Sequence, residues 1–320
     1  VSTVVWARAE LPDLQGRRAL VTGGAGGLGY ETALGLAACG AEVLICDRNT
    51  AGGIAAVERI RDTVPGAAVS FAALDLGELR QVGAFAQAQV AQGRPLDLLV
   101  NNAGLLPPLQ RATTADGFEL KFGVNVLAHF ALTAGLLPAL KRSAAPRVVW
   151  VSSMVHRHAR IDFDDLNAER RYLHQRAYNQ AKLACLMLAM ETQARASAAG
   201  LALTATAAHP GVSRTSLGDS RRGQPRHRLT DHLADVGFWI AMRWFSQGPG
   251  QGARCILYAA AAPGAEGGGF YGPSGLGEMR GNPRRVALSA PARDPEQRRR
   301  LWQACERLTG AAYDWSGSAF

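Results

Sequence analysis

Tyr178 and Lys182 stand four residues apart in the stretch YNQAK, and on a helix that spacing puts both side chains on one face. Tyrosine, with an ordinary pKa of about 10, is a poor base at neutral pH, but an adjacent ammonium favours the phenolate. Lys182 is one of three lysines in the chain, with Lys121 and Lys141, which argues against a chance pairing. Upstream, RVVWVSS (147–153) is a nearly continuous apolar run ending in Ser152 and Ser153. A serine hydroxyl at the C-terminal end of a buried strand can hydrogen-bond the oxygen that Tyr178 protonates. Three groups then converge on one carbonyl.

A second chemistry is written in RALVTGGAGGLGYETALGLA (18–37). Ala19, Leu20 and Val21 read as a short buried strand, and Tyr30 to Cys39 carries helical spacing without proline. Glycines at such a junction make a tight turn and no more, or they let backbone N–H groups and a helix N-terminus approach a pyrophosphate. Two registers fit the letters: Gly24-x-Gly26-x-x-Gly29, or Thr22-Gly23 followed by Gly27-x-Gly29.

The elements that must position these residues alternate along the chain. Strand-like runs at 42–47, 68–75, 96–104, 147–153, 201–211 and 268–273 follow the first, with alanine-rich helical segments between them, the longest over about 173–199. This predicts an α/β fold: a single-domain Rossmann-type, doubly wound parallel sheet of about seven strands flanked by helices. The domain is expected over 15–310, with an N-terminal extension (1–14) and a C-terminal tail (311–320). Its 320 residues, 48% hydrophobic and 19% charged, suit one large core, and no fixed-period repeat is present.

Other classes are disfavoured. No apolar stretch is read as approaching the ~18 residues that span a bilayer, and the start lacks a basic region followed by an apolar one. A cytoplasmic protein with no transmembrane segment is expected. The net charge of +9 comes from 35 basic residues dominated by arginine, clustered in 218–229 and 280–302 without interleaved aromatic platforms, so no nucleic-acid partner is expected. Cys39, Cys46, Cys185, Cys255 and Cys305 are odd in number and scattered, against a disulfide framework or a zinc site. His156 and His158, spaced i, i+2, and the turn residue His209 supply no metal-ligand set.

The ordered motifs TGGAGGLG, LVNNAG, VNVLAHF, VSS, YNQAK and HPGVSRT resemble the short-chain dehydrogenase/reductase family over about residues 15–310. IDFDDLNAERRY and RLWQACERLTG are similar to its retinol-dehydrogenase-like branch. The resemblance selects the register with Gly23, Gly27 and Gly29 as the pyrophosphate cradle, flanked by Thr22 and Leu28. It implies Tyr178 as acid/base, Lys182 as its partner and ribose anchor, Ser153 rather than Ser152 on the substrate oxygen, and Asn125 holding a water that links the lysine to solvent. It further implies Asn101, Asn102, Ala103 and Gly104 beside the cofactor, Asp75 and Leu76 at the adenine, and Pro210, Gly211 and Thr215 at the nicotinamide carboxamide. A homodimer or homotetramer is usual in such a family.

The implied activity is transfer of a hydride between a nicotinamide and an alcohol/carbonyl pair. A carbon–carbon double-bond reductase or a non-catalytic dinucleotide sensor are the rivals on the same fold. Asp47, ending the second strand, can accept hydrogen bonds from the adenosine ribose and repel a 2′-phosphate, whereas Arg48 could pair with that phosphate. NAD(H) is therefore expected to be preferred, with NADP(H) as the alternative. Residues 213–250 are expected to form a substrate lid carrying Phe238, Trp239, Ile240, Met242, Trp244 and Phe245, or else an ordinary packed helix. A lid of that composition implies a bulky apolar alcohol, ketone or aldehyde as the small-molecule partner.

Overall fold

The computed structural model describes residues 2–105, 109–212 and 247–316, and the expected lid lies outside them except at its end. Eight strands form one sheet: β1 Arg18–Thr22, β2 Glu42–Asp47, β3 Val69–Ala73, β4 Leu98–Asn101, β5 Arg147–Val151, β6 Thr204–Ala208, β7 Phe270–Pro273 and β8 Pro283–Arg285. The order is β3-β2-β1-β4-β5-β6-β7-β8. The first seven run parallel, and β8 pairs antiparallel with β7, Tyr271 opposite Arg285. This eighth strand, Pro-Arg-Arg, had no apolar run to betray it; it is held by the ladder of β7 and by the Arg285–Glu266 ion pair at 2.8 Å.

Alternation divides each central strand between two cores, as the period of two requires. Leu20, Leu99, Val148 and Trp150 face one core; Ala19, Val21, Leu98, Val100, Val149 and Val151 face the other. The helices are α1 Thr3–Glu10, α2 Gly27–Ala38, α3 Thr50–Thr63, α4 Leu79–Ala91, the turn α5 Leu120–Phe122, α6 Ala128–Lys141, α7 His174–Ala198, α8 Pro249–Ala261, the short α9 Ala290–Arg293 and α10 Pro295–Thr309. A π-helical turn, Gly123–Leu127, joins α5 to α6. Helices α4, α6, α7 and α10 cover one face, and α1, α2, α3 and α8 the other.

The run Leu120–Lys141 is long and apolar enough to cross a membrane by length and composition, contrary to the sequence expectation, but 83% of its most apolar window is buried within this fold. It is a core helix here. Both ends of the chain also pack on the domain. Trp6, Ala7, Leu11 and Leu14 enter the second core, and Tyr313 is buried against Phe130 and Trp302, donating its hydroxyl to the Phe130 carbonyl at 3.0 Å. All five cysteines are buried and free.

The β1–β4 boundary is where successive connections turn to opposite sides of the sheet, and there the C-terminal strand ends open a crevice. Every motif residue described below lies at that edge.

Candidate active site

β1 ends in Thr22, and the glycine loop begins at once. Gly23 has φ +69°, and a Cβ there would lie 2.8 Å from the Ala103 Cα. A Cβ on Gly29 would lie 2.1 Å from the Gly23 carbonyl oxygen, so no other residue fits where α2 crosses its own loop. At Gly26, the N-cap of α2, a Cβ would meet nothing within 4 Å. The cap makes no side-chain hydrogen bond of its own, which leaves the N-terminus of α2 for an anion. Leu28, in that first turn, is buried.

Thr22 ties this loop to the next strand end. Its Oγ1 accepts from the backbone N–H groups of Asn102 and Ala103, each at 3.0 Å, and lies 2.9 Å from His129 Nε2. The Asn102 side chain donates to the Thr22 carbonyl at 2.8 Å. Asn101, buried, donates to Thr133 Oγ1 at 2.9 Å, leaving its own Oδ1 unpaired. At the far rim, Asp47 accepts from Ala25 N at 3.3 Å and Asn49 N at 3.0 Å, which fixes its carboxylate against the glycine loop; Arg48 is exposed. Asp75 accepts from Gly77 N at 2.7 Å, and Leu76 beside it is buried.

Across the crevice, β5 delivers the two serines with different tasks. Ser152 is buried and donates its hydroxyl to the Lys182 carbonyl at 2.7 Å. Lys182, also buried, donates Nζ–H to the Val151 carbonyl at 3.0 Å. These two bonds clamp one turn of α7 to the end of β5. Tyr178 lies one turn before Lys182 on the same face of that helix. Ser153 and Tyr178 are half-buried, and neither hydroxyl engages any described residue. α7 itself is positioned at its start by Gln180, which accepts from Asp162 N at 2.8 Å and holds the preceding loop against the helix.

Asn125 sits inside the π turn. A widened turn leaves carbonyl groups for side chains to satisfy. Its carbonyl accepts from His129 Nδ1 at 3.0 Å and from Cys185 Sγ at 3.2 Å, while its Oδ1 accepts from Leu105 N at 3.0 Å. The Asn125 Nδ2 is buried with no partner. Gly104 lies between this side chain and Lys182: a Cβ there would come within 3.2 Å of Lys182 Nζ and 3.6 Å of Asn125 Oδ1. Burial, and next the Lys182 charge, push the His129 pKa down to about 4, against the pull of its bond to Asn125.

The third wall follows β6. His209 donates Nε2–H to Glu278 Oε2 at 3.0 Å and accepts from Gly211 N at 3.3 Å, so its ring is neutral with a fixed tautomer. Burial lowers its pKa against the Glu278 bond, whereas that same bond holds the Glu278 carboxyl below its usual range, helped by Arg157. Gly211 has φ +66°, and Val212 N donates to the Met279 carbonyl at 2.9 Å. Gln247 closes the wall, its backbone N donating to the Val212 carbonyl at 2.8 Å and its side chain to the Pro210 carbonyl at 2.7 Å. Residues 247–250 form this neck and the start of α8; Thr215 and the rest of the expected lid lie outside the described residues.

The sequence motifs therefore meet at one edge: the glycine loop, Asn101 to Gly104, Asn125, Ser153, Tyr178, Lys182, Pro210 and Gly211. The glycine cradle at the start of α2 fits a dinucleotide pyrophosphate. Sequence reasoning gave His129 no role, although it stands four residues after Asn125 in a helical motif. Glu278 and Gln247 carried no local signal, since only the sheet brings them beside His209 and Pro210.

Known proteins resemble this chain along most of its length. The family model described as short chain dehydrogenase matches residues 17–226. The chain is 40% identical over 310 residues to polyprenol dehydrogenase of Mus musculus, covering 94% of this chain and 86% of that protein. It is 36% identical over 308 residues to retinol dehydrogenase 13 of Homo sapiens, covering 95% and 87%. A crystal structure of an uncharacterized protein from Mycobacterium paratuberculosis is 36% identical, with a TM-score of 0.76 over 96% of this chain and 98% of that one.

Proposed function

Because the chain belongs to the short-chain dehydrogenase/reductase family, in its retinol-dehydrogenase-like branch, we propose that this NAD(P)-dependent oxidoreductase interconverts a bulky apolar alcohol and its carbonyl. The observation that carries the reading is the division of labour between the paired serines. Ser152 spends its hydroxyl on the Lys182 carbonyl, which leaves Ser153 and Tyr178 as two free hydroxyls on the edge that this clamp fixes. The names of the relatives, polyprenol and retinol dehydrogenases, support an extended isoprenoid-like substrate.

Bound nicotinamide supplies or takes up the hydride; the chain handles the oxygen and the proton. Thr22 to Gly29 and the α2 N-terminus hold the pyrophosphate, and Asn101 to Gly104 line the floor. Ser153 donates to the substrate oxygen and holds it still. Tyr178 passes a proton to that oxygen in reduction and receives it in oxidation, with Lys182 one helical turn away on the same face. Asn125, with Nδ2 uncommitted, orients a water by which Lys182 exchanges protons with solvent. Asp47 at the adenosine rim favours NAD(H), since a carboxylate accepts from ribose hydroxyls and repels a 2′-phosphate.

Thermal shift of the whole chain with NAD, NADH, NADP and NADPH, followed by a panel of retinoid, polyisoprenoid and small cyclic alcohols and carbonyls, tests this. Stabilisation by NAD(H), with turnover of the extended substrates, is expected. Nucleotide binding without turnover of any alcohol or carbonyl would refute the assigned reaction.

A further inference from the structure

We infer that His129 is a positioning residue that couples the dinucleotide loop to Asn125, through one continuous hydrogen-bond chain of fixed direction. The inference rests on the dinucleotide reading above and adds a residue to it. The Asn125 carbonyl can only accept, so His129 Nδ1 carries a proton. The ring is 1% exposed, and burial keeps it neutral at physiological pH, so Nε2 presents a lone pair. Thr22 therefore donates its hydroxyl proton to Nε2 at 2.9 Å, in preference to the Val100 carbonyl at 3.3 Å. That choice leaves the two oxygen lone pairs of Thr22 for the N–H groups of Asn102 and Ala103.

No other arrangement satisfies these atoms. An Nε2–H tautomer would aim three donors at Thr22 Oγ1, which has two lone pairs, and would turn the Nδ1 lone pair towards the Asn125 carbonyl. An imidazolium would overload Thr22 in the same way. The chain consequently runs in one sense only, from Asn102 and Ala103 through Thr22 and His129 to Asn125. Thr22, His129 and Asn125 are all buried, and the chain they form has one end packed against Gly23, where a Cβ would touch Ala103, and the other in the π turn. Asn125 is gripped at its carbonyl by His129 and Cys185 and at its side chain by Leu105, so its Nδ2 has one direction to point. A nucleotide seated on the glycine loop tightens the first link, and the last link is Asn125.

The test uses the whole chain and whichever of NADH and NADPH the wild type binds more tightly. Side-chain 15N NMR of the wild type at pH 7 should show His129 as the neutral Nδ1–H tautomer, with the Nε2 resonance moving when the nucleotide binds. Binding by nucleotide fluorescence is then compared in two variants. His129→Gln reaches Thr22 with an amide oxygen in place of Nε2 but gives up the Nδ1–H bond to the Asn125 carbonyl, so its Kd should stay within about twofold of wild type while kcat falls. His129→Asn is too short to reach Thr22, and one buried hydrogen bond lost should weaken the Kd roughly tenfold. An Nε2–H tautomer or an imidazolium at pH 7, or equal affinities in the two variants, overturns the inference. Should a variant fail to fold, the wild-type tautomer and its response to nucleotide decide. Failure of the wild type to bind either nucleotide sinks the functional reading and this one together, whereas tight wild-type binding with equal variant affinities sinks this one alone.

Discussion

Replacing Ser152 and Ser153 one at a time with alanine should separate stability from turnover. Ser152 donates a 2.7 Å bond to the Lys182 carbonyl and is 2% exposed, so S152A loses a buried bond and exposes no new surface. Such a loss costs about 1 kcal/mol, or up to about 3 kcal/mol if the carbonyl is left unpaired. For a domain of this size a melting temperature falls by roughly 1.5 °C per kcal/mol. Ser153 is half-buried and bonds to no described residue, so S153A should change stability by less than about 0.5 kcal/mol. If its hydroxyl meets developing charge on the substrate oxygen, its loss should lower kcat by about 10²- to 10³-fold. Urea unfolding and steady-state turnover of whichever carbonyl the panel selects, on the same preparations, read both quantities, and S152A should keep kcat within about fivefold, since the Lys182 Nζ bond to Val151 survives. The reverse pattern, with S152A inactive and S153A fully active, would mean that the clamp and the donor have been exchanged. Equal losses would remove the reason for distinguishing them.

Tyr178→Phe should lose at least about 10²-fold in kcat while keeping nucleotide affinity, as measured by fluorescence titration beside single-turnover kinetics. Gly29→Ala should abolish nucleotide binding, since the added carbon would lie 2.1 Å from the Gly23 carbonyl oxygen; calorimetry showing wild-type affinity would discard the cradle. Asp47→Ser should move kcat/KM towards NADPH by tenfold or more, and an unchanged ratio would transfer the discrimination elsewhere. Stability should also fall in acid. His129 and His156 are both pushed down to about 4, in each case first by burial, so each ring folds neutral and the unfolded chain binds the extra proton. Their stabilisation is complete above the ordinary histidine value of about 6.5 and is lost as pH falls towards about 4, by up to roughly 3 kcal/mol each. His156, buried with both ring nitrogens unpaired, gives the control: His156→Leu should flatten the decline in urea midpoint between pH 7 and pH 5, and an unaltered slope would contradict the assignment.

Much of this architecture was legible because its signals are local. Long apolar runs gave the central strands, and the 25-residue α7 fell close to where its spacing put it. The tyrosine–lysine pair needs only helical geometry, and the glycine loop only a strand before it and a helix after it. What stayed hidden depends on neighbours distant in the chain. β8, Pro-Arg-Arg, pairs only because β7 offers an edge. Ser152 and Ser153 are the same letter, and only the approach of α7 gives one of them the Lys182 carbonyl. The π turn around Asn125 has no sequence mark, and so the bond from His129 to the carbonyl four residues back could not be told from ordinary helix packing.

The neck at Val212 and Gln247 has an architectural consequence. Because a backbone hydrogen bond joins the residue where the chain departs to the residue where it comes back, the rest of the domain closes on itself without reference to the number of residues between them. The end of β6 and the start of α8 are thereby fastened to one another through Pro210, Val212 and Gln247, so the third wall of the site keeps its shape through contacts made within the neck.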